Sequence, residues 1–390
     1  MASVAQQKLR SVAYLGEDFP GLRIRAKVVQ NDRVEIGQTL FRDRSRPQIA
    51  FAAPVSGRVS EIRFGPRRML AAFVITADPD GAKTASAQQA GASSSDTRQA
   101  LLDAGFWPAF IARPFGGPPD PGADPKAIFV TATASSSTAP DPASVLAGRE
   151  PEFAAGIEAL TRLTSGAVHV CQGRGPTLWS GTSDRVHVTQ FRNGGGWGLP
   201  GTHVHKLYPA NTDRAIWTIG YQDVAAIGTF VASGRYDPIR TVSIMTLGAK
   251  SRTVQVPIGA DLHSFFEDET GRHPGAACLI SGSATHGREA GYLGRYDDEA
   301  TMTKAPARRA FKFPLPIMPT AALDRAIPMN LLTVPLMRAL SIGDVQTCEK
   351  LGCLDLLEQD VAILSALCTS GEDYGARLRE VLTQLKEQSA

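Results

Sequence analysis

Between Val28 and Ile62, apolar and polar positions alternate over short intervals broken by turn-forming residues. In VVQNDRVEIGQTLFRD, Val28, Val34, Ile36 and Leu40 are spaced for short strands, and Asn31-Asp32 and Gly37-Gln38 supply tight turns because these residues tolerate left-handed backbone. FAAPVSGRVSEI repeats the pattern, with Pro54 ending one strand, Gly57 turning, and Val59 and Ile62 returning. Two such halves predict a flattened barrel-sandwich over residues 1–77. Small polar residues and a Pro/Gly-rich run then predict a linker and connecting segment over 78–126.

Farther along, the period changes. AIFVTATA (127–134) reads as a buried strand, and a helix within 151–165 places Phe153, Ile157, Leu160 and Thr164 on one face. AVHVC (167–171), RVHVTQF (185–191) and AIWTIG (215–220) are further strands, and YQDVAAIGTFVASG is a helix on Val224, Ile227 and Val231 closed by Gly234. Strands alternating with helices predict a doubly wound, Rossmann-like α/β domain over 127–239. RTVSIMTLG (240–248) and RTVQVPIG (252–259) form a hairpin-like pair, followed by a short helix with Leu262, Phe265 and Phe266 on one side, an order that suits a β-grasp domain over 240–300. Residues 301–390 complete the chain as a connecting segment and a C-terminal helical domain, whose last helix lines up Tyr374, Leu378, Val381, Leu382 and Leu385.

Composition narrows the class. The 390 residues allow two to four domains, and 43% hydrophobic content is ordinary for packed cores. No run of about 18 apolar residues exists, so membrane association is expected to be peripheral. The N-terminus, MASVAQQKLR, lacks the apolar core of a signal peptide, which predicts a cytoplasmic location. Cysteines 171, 278, 348, 353 and 368 form no CxxC pair, which argues against a zinc site or an iron-sulfur cluster and for reduced core thiols. Charge is uneven: residues 1–70 hold 13 Lys/Arg against 6 Asp/Glu, a surplus of +7 that leaves −4 for the other 320. Arg63, Arg67 and Arg68 are the candidate basic docking face, for anionic headgroups or an acidic partner. The arginines lack interleaved aromatic stacking positions, so nucleic acid is not the expected partner.

Candidate chemistry centres on residues 196–223. Gly196-Trp197-Gly198-Leu199-Pro200-Gly201 is formally GxGxxG, with Asp223 22 positions beyond Gly201. A dinucleotide loop must open a helix whose amides face the pyrophosphate. THVHKLYPAN instead alternates like a strand. His203 and His205 on that strand would point to one face and could chelate a metal, although no third ligand can be placed, and no metal site or catalytic set is assigned.

The paired half-repeats are similar to biotinyl and lipoyl carrier domains, but the interval between them, RDRSRPQIAF, has no lysine to carry a prosthetic group. A more specific resemblance spans nearly the whole chain. VAYLGEDFPGLR (12–23), RPF (113–115), IFVTA (128–132), GLPGTHVHKLYP (198–209), YQDVAAIG (221–228), ISGS (280–283), YLGRY (292–296) and LGCLDLLEQDVAIL (351–364) resemble, in order, the NqrA family of the Na+-translocating NADH:quinone reductase.

That resemblance implies a cytoplasmic subunit, peripheral on the inner membrane, of a complex that moves electrons from NADH to ubiquinone and exports Na+. It implies docking on the quinone-binding membrane subunit, with FAD, FMN, iron-sulfur and ubiquinone on other subunits and no cofactor bound by this chain. It also implies a soluble-ligand-binding type of β-grasp domain, shared with the flavin subunit of complex I, and makes Thr202, His203, His205, Tyr221, Gln222 and Asp223 the candidate quinone or partner surface. Three departures, a later start, a shorter interval after residue 296 and LCTSGEDYG at 367–375, imply a divergent or shortened paralogue serving a related complex. The alternatives are a stand-alone NADH- or flavin-binding oxidoreductase related to the complex I flavin subunit, and a cofactor-free scaffold protein.

Overall fold

The computed structural model describes residues 5–6, 9–79, 96–208, 215–246, 251–267, 277–304 and 315–389. Its first strands are β1 (Ala5–Gln6), β2 (Ser11–Leu15), β3 (Ile24–Ala26), β4 (Arg33–Val34), β5 (Thr39–Asp43), β6 (Ala50–Ala52), β7 (Gly57–Phe64) and β8 (Leu70–Ala77). The antiparallel sheet β2-β8-β7-β4 faces the smaller sheet β3-β5-β6. Both predicted turns bend through left-handed backbone, Asn31 at φ 75° and Gly37 at φ 80°. Val34, Leu40, Val59 and Phe73 are fully buried between the sheets, and Phe41 stacks on Phe51 at 4.6 Å between ring centres. Each such side chain contributes about 1.5–3 kcal/mol on burial, so the core outweighs the weak propensity of these short strands. Gly57 differs from its expected role. The bend is made by Pro54–Ser56, and Gly57 opens β7 pressed against the Thr76 carbonyl, where a Cβ would collide.

Residues 80–95 of the expected linker lie outside the described residues. The rest of the expected connecting segment carries structure: α1 (Thr97–Asp103) and β9 (Ile111–Arg113). Asp96 caps α1 by accepting from the amides of Arg98 and Gln99, and Leu101 and Leu102 are buried. This is enough apolar anchorage to hold a helix that Pro and Gly nearby conceal in the sequence.

The α/β unit comprises β10 (Ala127–Ala132), α2 (Pro142–Leu146), α3 (Glu150–Thr161), β11 (Ala167–Gly173), β12 (Val186–Phe191), α4 (Pro200–Leu207), β13 (Ile216–Gly220) and α5 (Tyr221–Ser233). Strand order is β12-β11-β10-β13-β9, parallel except for β9 at the edge. Alternation along β10 divides two layers: Ile128 and Val130 join the core that includes α3 and α5, while Ala127 and Phe129 join Val204 of α4 on the opposite face. Gly156 and Gly228 let α3 and α5 touch backbone to backbone, since a Cβ at either would strike the other helix. Gly234 caps α5 at φ 71°, as predicted. Thr164 does not continue the α3 face; α3 ends at Thr161, and the Thr164 hydroxyl donates to the Pro125 carbonyl at 2.5 Å.

Beyond it, β14 (Ile239–Met245) and β15 (Arg252–Pro257) pair antiparallel, as the hairpin-like pattern suggests. With β16 (Ala277–Ser281), β17 (Arg288–Glu289) and β18 (Glu299–Lys304) they form a sheet of order β1-β15-β14-β18-β16-β17, with β14 and β18 parallel at its centre. The sheet therefore extends past residue 300 and recruits β1 from the N-terminal region. Two backbone hydrogen bonds, Ala13 N to Gly259 O at 2.8 Å and Asp261 N to Ser11 O at 3.1 Å, fasten it to the barrel-sandwich. Then follow α6 (Ala321–Ala326), α7 (Thr333–Ile342), α8 (Val345–Lys350), α9 (Glu358–Leu367) and α10 (Tyr374–Gln388), where Tyr374, Leu378, Val381, Leu382 and Leu385 are all buried.

Candidate functional site

β10 leads through α2 and α3 to β11 on one side, while β13 lies on its other side. The strand order therefore reverses between β10 and β13, and a crevice opens at their carboxyl ends, where doubly wound sheets hold ligands. The crevice has a volume of about 160 Å3. Thr131, Thr133 and Thr218 line its floor, the first turn of α5 supplies Tyr221, Gln222 and Asp223, and the β16–β18 region closes it with Ser283, His286 and residues 297–299.

Much of its polar lining is already committed. Asp223 accepts from Arg240 at 2.5 Å and from both Arg295 amino groups at 2.7 and 3.1 Å. Burial alone would raise its pKa, but the two guanidiniums outweigh that and hold the carboxyl below the usual range. Gln222 clamps the same sheet, donating to Thr241 O at 2.9 Å and accepting from Thr241 N at 2.7 Å. Glu299 accepts from the hydroxyls of Ser135 (3.2 Å), Ser136 (2.6 Å) and Thr138 (2.6 Å), all in the loop that follows β10. Asp18, brought from the barrel-sandwich, pairs with Arg288 and accepts from the Arg295 amide at 2.9 Å.

Other groups are not committed. The Tyr221 hydroxyl, Thr131 Oγ1 and His286 Nε2 are buried without a hydrogen-bond partner. Burial, reinforced by Asp298, pushes the Tyr221 phenol well above its ordinary range. Burial and the neighbouring Glu299 and Asp297 raise the Asp298 carboxyl to about 7. The crevice thus offers unspent hydroxyls, a buried imidazole nitrogen and a carboxyl with a raised pKa, while Arg240 and Arg295 are tied to Asp223.

Thr202, His203 and His205 stand elsewhere. They occupy the helix α4, not a strand: Pro200 fits its first turn, and a 3-10 turn over Gly195–Gly198 leads into it. Two positions apart on a helix, the imidazoles diverge. His203 is buried against Phe191 at 4.3 Å between rings, with Nε2 donating to the Trp197 carbonyl at 3.0 Å, and burial lowers its pKa to about 4. Thr202 donates to Gly196 O at 2.6 Å, and His205 Nδ1 meets Asp355 at 2.6 Å. No group of three or more His, Cys, Asp or Glu is placed to hold a metal ion among the described residues. The five cysteines are thiols, four of them buried.

The glycine run opens a helix after all, but each glycine of the motif faces protein. A Cβ on Gly196 would meet Pro328, one on Gly198 the Ala134 carbonyl, and one on Gly201 the Asp360 carboxylate. Asp360 also pairs with Arg113 at 3.3 Å and accepts from Leu357 N at 2.8 Å, while Arg379 donates to Phe115 O at 2.7 Å. The RPF, GLPGTHVHKLYP and LGCLDLLEQDVAIL segments therefore meet at one junction between the α/β sheet edge and the C-terminal helices. YQDVAAIG, ISGS and YLGRY meet at the crevice.

Arg63, Arg67 and Arg68 lie on neither. They stand exposed at the tip of the β7–β8 hairpin, Arg63 3.7 Å from Glu61 and Arg68 over the Phe64 ring at 5.6 Å. Sequence reasoning passed over Arg240, Arg295, Asp298 and Glu299. The one signal available was the acidic run Asp297-Asp298-Glu299 directly after Arg295-Tyr296.

Residues 2–78 match the family model of the NqrA N-terminal barrel-sandwich hybrid domain, and residues 92–236 that of the NqrA second alpha/beta domain. NqrA proteins, named for the Na(+)-translocating NADH-quinone reductase, align nearly end to end. That of Rhodopirellula baltica is 33% identical over 97% of this chain and 93% of its own length; that of Cellvibrio japonicus is 32% identical over 98% and 94%, and that of Klebsiella pneumoniae 33% over 97% and 94%.

Proposed function

The chain belongs to the NqrA family, and we propose on that basis that it serves as the NqrA component of a Na+-translocating NADH:quinone reductase, a membrane complex that passes electrons from NADH to ubiquinone and exports Na+. The observation that carries this reading is the alignment over 97% of the chain with relatives of that name. The structure supports a docking and positioning role for the chain within that assembly. Its family-like segments are spent on joining units to one another at the crevice and at the C-terminal junction, and Glu299 occupies the hydroxyls of the loop after β10.

In this reading the chain sits on the cytoplasmic face of the inner membrane and docks on the quinone-handling membrane subunit. No helix among the described residues is long and apolar enough to cross a membrane, in keeping with a peripheral place. The sheet order β15-β14-β18-β16-β17, with a leading hairpin and the last strand at the centre, supports the β-grasp assignment. The four-parallel-strand order β12-β11-β10-β13 supports a Rossmann-like unit, and the packed C-terminal helices a separate helical region. FAD, FMN and iron-sulfur centres belong to other subunits. Where a quinone head group contacts this chain, the crevice beside Tyr221 is the place for it, because the unpartnered phenol and Thr131 hydroxyl can donate to quinone carbonyls. Thr202, His203 and His205 then act indirectly, by fixing α4 under the C-terminal helices.

The test is a tagged pull-down from mildly solubilised membranes with the eluate scanned for flavin. Membrane-spanning redox subunits carrying the flavin are expected. A lone yellow protein would replace this reading with a flavin-binding oxidoreductase, and a lone colourless one would refute membership in an assembled complex.

A further inference from the structure

The tip of the β7–β8 hairpin is built against local preference. Met69 N donates to Pro66 O at 3.1 Å and Gly65 N to Met69 O at 2.9 Å, closing a tight turn whose two central residues are Arg67 at φ 53° and Arg68 at φ 57°. A turn with both central residues left-handed is the setting where Asn-Gly is favoured, because a side chain with a full Cβ crowds the following carbonyl. Here two arginines occupy it, both exposed, beside Phe64, which is 42% exposed.

The basic surface continues past the tip. Leu70 N donates to Leu22 O at 2.9 Å and Arg44 N to Arg23 O at 2.8 Å, so Arg23 and Arg44, both exposed, follow directly from the hairpin. None of Arg23, Arg44, Arg67 and Arg68 forms an ion pair with a described residue, and Arg63 has only the exposed Glu61 at 3.7 Å. Five exposed arginines therefore lie on the hairpin tip and on the two segments bonded in turn to its base, and the tip carries the exposed Phe64 ring with Arg68 over it.

We infer that this tip and stripe dock on anionic phospholipid headgroups. A projecting hairpin end offers no groove for a protein partner's side chains, whereas an exposed aromatic beside arginines that pair with no described acidic residue suits a headgroup layer, which accepts charge without fixed geometry. The inference rests on the peripheral role proposed above and names the surface that serves it.

The test is co-sedimentation of the full chain with vesicles of phosphatidylglycerol and phosphatidylcholine against vesicles of phosphatidylcholine alone. Wild type should bind only the anionic vesicles and release at raised salt. The Arg67→Asn/Arg68→Gly variant installs the favoured turn pair, so its Tm should be equal or higher, while its binding falls roughly twenty-five-fold, about fivefold for each arginine. Arg23→Glu/Arg44→Glu should weaken binding as well. Undiminished binding by the turn variant, or no binding of wild type to anionic vesicles at low salt, would overturn the inference. In the second case, loss of the redox subunits from a pull-down of the turn variant would assign the tip to an acidic protein surface. Because the pull-down of wild type reports on complex membership separately, the two ideas fail independently.

Discussion

Asp223→Asn tests whether the crevice is held shut by charge. The carboxylate, 6% exposed, stands between Arg240 (7%) and Arg295 (8%), with three hydrogen bonds of 2.5, 2.7 and 3.1 Å. Removing the negative charge leaves two buried guanidiniums facing each other without an anion, which costs about 3–5 kcal/mol. With a urea dependence of about 3 kcal/mol per molar, the midpoint should fall by at least about 1 M, read from the fluorescence of the buried Trp217. The carboxyl's folded pKa lies below its ordinary value, so its stabilisation is present above the unfolded pKa and lost as pH falls through the folded one. The variant should therefore show a flatter acid limb. Replacing all three with apolar residues, Asp223→Leu with Arg240→Met and Arg295→Met, should recover most of the loss, because the desolvation penalty leaves with the charges. A single variant that costs less than about 1 kcal/mol, or a triple variant no better than the single, would refute the reasoning.

Gly198→Ala should destabilise by about 2 kcal/mol or more in the same urea assay, since its methyl would strike the Ala134 carbonyl; a stable variant would reopen a ligand-facing role for the glycine run. Tyr221→Phe should leave stability within about 0.5 kcal/mol, because the hydroxyl has no partner, while weakening quinone reduction by the assembled complex; unchanged quinone kinetics would remove Tyr221 from the quinone surface. The Asp298 carboxyl, raised to about 7 by burial and its acidic neighbours, keeps its proton longer in the folded state, so stability should decline as pH rises from about 4 to 7. Asp298→Asn should abolish that decline and gain about 1–2 kcal/mol at pH 8, less than the full shift because the side chain meets crevice water; an unchanged pH profile of urea midpoints would count against it.

What the sequence disclosed follows from the range of the interactions involved. The barrel-sandwich turns at Asn31 and Gly37, the α5 cap at Gly234 and the α10 stripe depend on residues within a few positions of one another, and each was legible. α4 was not, because Thr202-His203-Val204-His205 alternates like a strand and the helix is stabilised from outside, by Phe191 against His203 and Asp355 against His205. α1 was hidden for a related reason: Arg98 donates to the carbonyls of Pro121, Ala123 and Leu163, contacts that a local pattern cannot report. The crevice was half legible. Tyr221, Gln222 and Asp223 stood out by their place in the resemblance, but their partners Arg240, Thr241 and Arg295 arrive from strands and loops far along the chain.

The same contacts weigh against an anionic ligand at the carboxyl ends of the α/β sheet. A phosphate at the loop after β10 would have to take the hydroxyls of Ser135, Ser136 and Thr138 from Glu299, which is only 3% exposed. The displaced carboxylate would remain buried next to Asp297 and Asp298, so binding would exchange satisfied hydrogen bonds for like charges in a poorly solvated crevice. Nor do the arginines offer relief, since Arg240 and Arg295 are already bound to Asp223. At the second glycine-rich turn the Asp360 carboxylate packs against Gly201 and accepts from Leu357 N and Arg113. At the first place an anion of the chain itself has the donors, and at the second a buried carboxylate already stands against the turn. The acidic side chains thereby bind units of one polypeptide together.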